Sequence, residues 1–142
     1  MLVHGGCHCG SVSFELAWQP DPLEIPARAC SCSFCRKHGG VWTSTPAGSL
    51  TVRVRNAAHL SSYEFATRTA QFRVCSHCGV VPLVTSRIQE RLYAVVNVNV
   101  LEGIDSTLLR TVAATLEGES LATRLQRRQQ NWISDVVFRD GT

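Results

Sequence analysis

The chain has 142 residues, 44% of them hydrophobic, and a formal net charge of +3. That is the size and composition of one globular domain over residues 1–142, and the charge is too small and too scattered to argue for a nucleic-acid partner. No apolar run reaches the roughly 18 residues that span a bilayer, and the start, Met1 to Cys7, has neither the basic nor the apolar region of a secretory signal, so the sequence points to the cytoplasm and to no membrane partner.

In chain order, Cys7-His8-Cys9-Gly10 comes first. Val12, Phe14 and Leu16 then alternate with Ser11, Ser13 and Glu15, the period of a half-buried strand. The segment Pro20 to Pro26 holds three of the five prolines and is expected to be extended or turned. It leads into Cys30-Ser31-Cys32-Ser33-Phe34-Cys35-Arg36-Lys37-His38-Gly39-Gly40. Leu50, Val52 and Val54 predict a second strand, and Phe72 and Val74 a third that enters Cys75-Ser76-His77-Cys78-Gly79. Tyr93 to Val100 is rich in β-branched residues and predicts a strand that ends near the turn at Glu102-Gly103. Leu108 to Leu116 fits either a strand or a short helix. From about Ser120 the spacing of Leu121, Leu125, Trp132 and Val136 predicts a helix, with Arg124, Arg127 and Arg128 on a solvated face rather than meeting the carboxylates of a ligand, and Trp132 packed on the core or on a neighbouring copy in a homo-oligomer rather than stacked on a ligand. The class is mainly β, a small α+β fold with a C-terminal helix.

Seven cysteines cannot all pair, and their spacing is too close for disulfides, which gain most from closing long loops. In a reducing compartment such clusters point to metal. Residues two apart on an extended segment face the same side, so Cys7 and Cys9 can aim at one point. Cys75 and Cys78, with Gly79 behind them, have the form of a zinc knuckle. Together the four thiolates make a closed tetrahedral zinc shell that ties the N-terminal segment to the middle of the chain.

Cys30, Cys32 and Cys35 supply three more thiols. Three protein ligands and an open position are the pattern of a catalytic zinc. The fourth ligand is water, a substrate thiol or His38, and with His38 the site closes and is structural. Three thiolates leave zinc a weak Lewis acid, poorly suited to making hydroxide but well matched to a fourth, soft thiol. Arg36 and Lys37 either offset that negative charge or are simply solvated. Gly39-Gly40 either lets a ligand approach the backbone or forms a turn.

Gly5-Gly6-Cys7-His8-Cys9-Gly10, the run from Cys30 to Gly40, Cys75-Ser76-His77-Cys78-Gly79, and Val96-Asn97-Val98 followed by Leu101-Glu102-Gly103-Ile104-Asp105 together resemble the glutathione-dependent formaldehyde-activating enzyme family, also called the GFA-like or centromere-protein-V domain family. The resemblance runs from about His4 to Asp105. It implies an Mss4-like β-tent with two zinc ions per chain. One is structural, on Cys7, Cys9, Cys75 and Cys78. The other is catalytic and labile, on Cys30, Cys32 and Cys35. The implied activity is that of a carbon–sulfur lyase: a small-molecule thiol, glutathione, adds to a small aldehyde, formaldehyde. His38 is the proton donor nearest in sequence. Two other readings remain beside this one, a non-catalytic zinc module that recruits a protein or polymer, and a redox sensor built on the open cluster.

Overall fold

The computed structural model of the protein describes residues 1–114, 116 and 118–140. Its strands are β1 (Leu2–Gly6), β2 (Val12–Ala17), β3 (Ile25–Cys30), β4 (Val41–Thr43), β5 (Ser49–Val54), β6 (Leu60–Tyr63), β7 (Gln71–Cys75), β8 (Leu83–Ile88), β9 (Arg91–Asn97), β10 (Leu101–Glu102), β11 (Leu109–Ala114) and β12 (Asp135–Asp140). Its α-helices are α1 (Ser33–His38) and α2 (Leu121–Asn131). The strands form two sheets, one ordered β10-β1-β2-β5-β12 and one ordered β11-β3-β4-β9-β8-β7-β6. The fold is mainly β with a C-terminal helix, as the sequence predicts.

Alternation builds the main core. Val12, Phe14 and Leu16 of β2 turn inward, and Leu50 and Val52 join them from β5. They pack with Ile25, Leu83, Ala94 and Val96 of the larger sheet. The intervening residues of the larger sheet face the other way. Trp42, Val84, Ile88, Tyr93 and Val95 form a second cluster with Cys35 and Trp132. A sheet buried on both faces needs apolar residues at consecutive positions, which accounts for the unbroken run from Tyr93 to Val96.

Three expectations are corrected and one helix is added. The strand predicted over Tyr93–Val100 stops at Asn97, whose side chain accepts from the Asn99 amide at 3.0 Å and turns Val98–Val100 into a 3-10 helix. Helix α1 was not anticipated, because six residues are too few to show a period. Val136 does not continue the C-terminal helix but lies in β12, which pairs in parallel with β5. The cause is Ile133, which exchanges two backbone hydrogen bonds with Ala94 at 2.9 and 3.0 Å and holds the chain extended. Leu121 is 48% exposed and covers nothing.

Leu109–Ala114 is a strand, parallel to β3, which decides the segment left open above; Thr115 lies outside the described residues. No helix among the described residues is long and apolar enough to cross a membrane.

Candidate functional site

Each end of the four-cysteine cluster is a glycine turn. After β1 the Gly10 amide donates to the Cys7 carbonyl at 3.2 Å, and after β7 the Gly79 amide donates to the Cys75 carbonyl at 2.7 Å. Both glycines are left-handed, with φ of 82° and 83°, where a side chain would be strained. The turns bring the sulfurs of Cys7, Cys9, Cys75 and Cys78 within 4.8 Å of one another. Cys7 Sγ lies 3.7 Å from Cys9 Sγ, and Cys9 Sγ lies 3.6 Å from Cys75 Sγ. A tetrahedral ion with metal–sulfur bonds of about 2.3 Å would set its sulfurs about 3.8 Å apart, so the residues present fit such an ion. Burial pushes the Cys7 thiol up to about 12. A cation is what lets so buried a sulfur be a thiolate at neutral pH.

The three-cysteine cluster is made where β3 passes into α1. Cys30 ends the strand. Cys32 is the N-cap of the helix, its sulfur accepting from the Cys35 amide at 3.4 Å. Cys35 points inward from the first turn and is 2% exposed. Their sulfurs also lie within 4.8 Å of one another and could hold a metal ion. Trp42 Nε1 donates to Cys35 Sγ at 3.3 Å, the kind of outer hydrogen bond that orients a metal ligand. The hydrogen bond from Cys35 draws the Cys30 thiol down to about 5, and the same contact, with burial, drives the Cys35 thiol up. Gly39 ends α1 in a left-handed C-cap with φ of 75°, so the turn is the role the structure gives it.

His38 is not brought into this cluster. The residue is exposed, and its ring packs at a tilt against Phe34 with centroids 4.4 Å apart, outside the set of gathered donor atoms. Arg36 and Lys37 are likewise exposed.

Cys30, Cys32 and Cys35 open onto a cavity of about 490 Å³, which none of the other four cysteines lines. Its floor is the outer face of the larger sheet, with Trp42, Phe72, Val84 and Val95. Its roof is α2, which contributes three arginines, with Trp132 just past its C-terminal end. This corrects the favoured expectation that Arg124, Arg127 and Arg128 form a solvated face, and places them instead where the other reading needs them, on the wall of a cavity. Arg124, Arg128 and Trp132 lie one turn apart, and it is this stripe that faces the sheet. Arg128 is 7% exposed, and its Nη1 donates to Thr69 Oγ1 at 2.9 Å and to Ser86 Oγ at 3.2 Å. Arg127 reaches Glu119 through Nε at 2.9 Å and Nη2 at 3.1 Å. Trp132 packs on the core, one of its two predicted places.

Two features escaped the sequence. Arg28 joins the cavity wall from β3, two residues before Cys30 and on the same face. Its signal was the alternation Pro26, Arg28, Cys30, which was not followed through the proline segment. His59 stacks on His77 at 4.7 Å beside the four-cysteine cluster and bonds Ser11 Oγ through Nδ1 at 2.7 Å. Nothing local marks that pairing.

A family model described as glutathione-dependent formaldehyde-activating enzyme matches residues 2–115. A protein of Halomonas elongata named "Putative glutathione-dependent formaldehyde-activating enzyme" is 34% identical over 86 residues, 56% of this chain and 53% of that one. The chain thus spans about half the length of that curated relative. A crystal structure of a Rhodobacter sphaeroides protein is similar with a TM-score of 0.57 and 36% identity, covering 73% of this chain and 92% of that chain.

Proposed function

The chain belongs to the glutathione-dependent formaldehyde-activating enzyme family, and on that premise we propose that it is a zinc-dependent carbon–sulfur lyase of the cytoplasm that joins a small-molecule thiol to a small aldehyde and reverses that reaction. Glutathione and formaldehyde are the first pair to test. The observation that carries this reading is the position of Cys30, Cys32 and Cys35, gathered within 4.8 Å and open to a cavity of about 490 Å³.

Cys7, Cys9, Cys75 and Cys78 would hold a structural zinc, and Cys30, Cys32 and Cys35 a catalytic one. Zinc held by those three cysteines would supply a soft position that favours the thiolate form of an incoming thiol at neutral pH, where a free thiol with a pKa of about 8.5 is mostly protonated. The chain does the rest. Trp42 fixes the Cys35 sulfur through its indole N–H. The apolar floor excludes water from the sulfur, which raises its reactivity toward a carbonyl. The walls hold thiol and aldehyde together, which converts a bimolecular encounter into a local one. In the addition a sulfur–carbon bond forms and the C=O π pair moves to oxygen. The proton that left the thiol is replaced on that oxygen from solvent. No oxidant or reductant enters. Among the described residues of the cavity wall no histidine or carboxylic acid is present to donate that proton.

The test is a glutathione titration of the cobalt-substituted protein, following the thiolate-to-cobalt absorption bands, with Cys32→Ser as control. Saturable growth of the bands that vanishes in Cys32→Ser supports entry of the thiol. No change with two metals bound per chain excludes glutathione from the site.

A further inference from the structure

The cavity gathers positive charge that no carboxylate on its wall offsets among the described residues. Arg28, Arg124, Arg127 and Arg128 all line the cavity, and no aspartate or glutamate does so among the described residues. Glu119 is bonded to Arg127 and lies 3.5 Å from Arg124, but it is not on the wall and does not pair with the other two. Arg128 is the most buried of the four. Thr69 and Ser86 give its Nη1 two neutral acceptors, its Cζ lies 5.1 Å from the centre of the Trp132 ring, and its Nε is buried with no partner among the described residues. Arg28, paired only with Ser44 Oγ at 3.3 Å, has no carboxylate partner either among the described residues. Burial of an unpaired charge is unfavourable unless something of opposite sign is supplied. Desolvation, followed by the charges of Arg127 and Arg124 and only partly offset by Glu119, pushes Arg128 down to about 10, so it stays cationic at neutral pH.

The cavity is also the wrong size for its smallest proposed ligand. About 490 Å³ falls in the range of about 300–1,000 Å³ that takes whole cofactors and drug-sized molecules, far more than a one-carbon aldehyde fills. The rest of its lining is aromatic and aliphatic, with Trp42, Phe65, Phe72 and Trp132 beside Val84 and Val95. Arg28 and Cys30 lie two residues apart on the same strand face, about 6.6 Å along the backbone, so one modest molecule can touch both ends.

We propose that the thiol accepted here is an acidic one with an apolar body, its carboxylate or other oxyanion lying against Arg128 and Arg28 while its sulfur meets Cys30, Cys32 and Cys35. The proposal rests on the thiol reading above and names the substrate class. Arg128 and Arg28 are then the specificity-determining residues. Arg128 lies beyond the stretch matched by the family model, which ends at residue 115, so this preference belongs to the chain and not to the matched region alone.

The experiment uses zinc-loaded protein and the fluorescence of Trp42 and Trp132, which line the cavity. Three probes are titrated: 4-(mercaptomethyl)benzoate, its neutral parent benzyl mercaptan, and 4-methylbenzoate, which has the acid but no thiol. The thiol acid is expected to bind at least about ten-fold more tightly than benzyl mercaptan, since hydrogen bonds between charged partners are the strong ones. Arg28→Gln and Arg128→Gln, each checked for a native circular dichroism spectrum, should remove most of that difference and leave benzyl mercaptan nearly unchanged. Should Arg128→Gln fail to fold, Arg28→Gln and the wild-type comparison still decide. Equal affinity for the thiol acid and its neutral parent overturns the proposal. If both acids bind equally, lose affinity equally in Arg28→Gln and ignore Cys32→Ser, the anion subsite stands and the thiol reading fails.

Discussion

Trp42 donates its indole N–H to the sulfur of Cys35 across 3.3 Å. The two residues come from different elements, β4 and α1, and both are buried. The bond therefore fixes where the short helix sits on the sheet as well as how the sulfur is aimed.

Trp42→Phe keeps an aromatic ring in the second core cluster and deletes the donor, together with part of the buried ring volume. Loss of a hydrogen bond to a metal ligand typically costs about 10–100-fold in metal affinity. The expected outcome is release of one metal per chain at chelator concentrations about 10-fold lower or more, with the other retained. Competition with a chromophoric chelator measures it, and simultaneous weakening of both metals would contradict the division into two sites.

Cys78→Ser and Cys32→Ser should separate by stability. The first opens the cluster that joins the turn after β1 to the turn after β7, parts of different sheets. In peptide systems structural zinc contributes on the order of 10 kcal/mol, as much as a typical domain's whole stability, so Cys78→Ser should not fold at 37 °C. Serine at position 32 remains a good N-cap for α1, because its hydroxyl can accept from the Cys35 amide as the sulfur does. Cys32→Ser should keep a cooperative thermal transition and lose one metal. Equal collapse of the two variants in a melting experiment would sink the assignment of one cluster as structural and the other as open.

What was legible in the sequence followed from local rules. The cysteine clusters could be read because chelation requires sulfurs close in space, and short spacings deliver that whatever the rest of the chain does. The strand at Val12–Leu16 could be read because only one of its faces is apolar. The cavity could not. Its floor and wall draw Arg28, Trp42, Phe72, Val84 and Val95 from five strands, and only the sheet order makes them neighbours. The arginines of α2 were misplaced for a related reason. A helical wheel sends charge to solvent, and nothing local says that the face opposite is a cavity with room for guanidinium groups.

Gly40→Ala tests the packing beneath the cluster. A Cβ there would lie 2.9 Å from Trp42 Cζ2 and 3.0 Å from His38 Cε1. The exposed His38 ring can swing away, but Trp42 is 7% exposed and held by its bond to Cys35. The variant should lose about 1–3 kcal/mol in urea unfolding and also weaken the metal at the three-cysteine cluster. Gly39→Ala is the control. Nothing lies within 4 Å of its Cβ, so only the left-handed φ of 75° matters, at about 1 kcal/mol, with the metal site untouched. If Gly39→Ala perturbed the metal as much as Gly40→Ala, contact with Trp42 would not be the cause.

Glu119 connects the arginine roof to pH. Its carboxylate accepts both bonds of the Arg127 fork and is 15% exposed on its side chain. The Arg127 hydrogen bond first, then the charges of Arg127 and Arg124, hold the carboxyl below its ordinary value. A carboxyl with a lower pKa folded than unfolded binds its proton more readily in the unfolded chain. Its stabilisation is therefore complete above the unfolded value of about 4.3 and fades as pH falls through the lower folded value. Glu119→Gln removes that contribution while keeping the shape. The wild type should exceed the variant by about 1–2 kcal/mol at pH 7. The gap should hold down to about pH 5 and close toward pH 3. Urea unfolding of both proteins in parallel isolates the gap, since protonation of the cysteine clusters affects the two alike. A gap that widened on acidification would mean that the carboxylate is strained by its place beside the arginines and not stabilised by it.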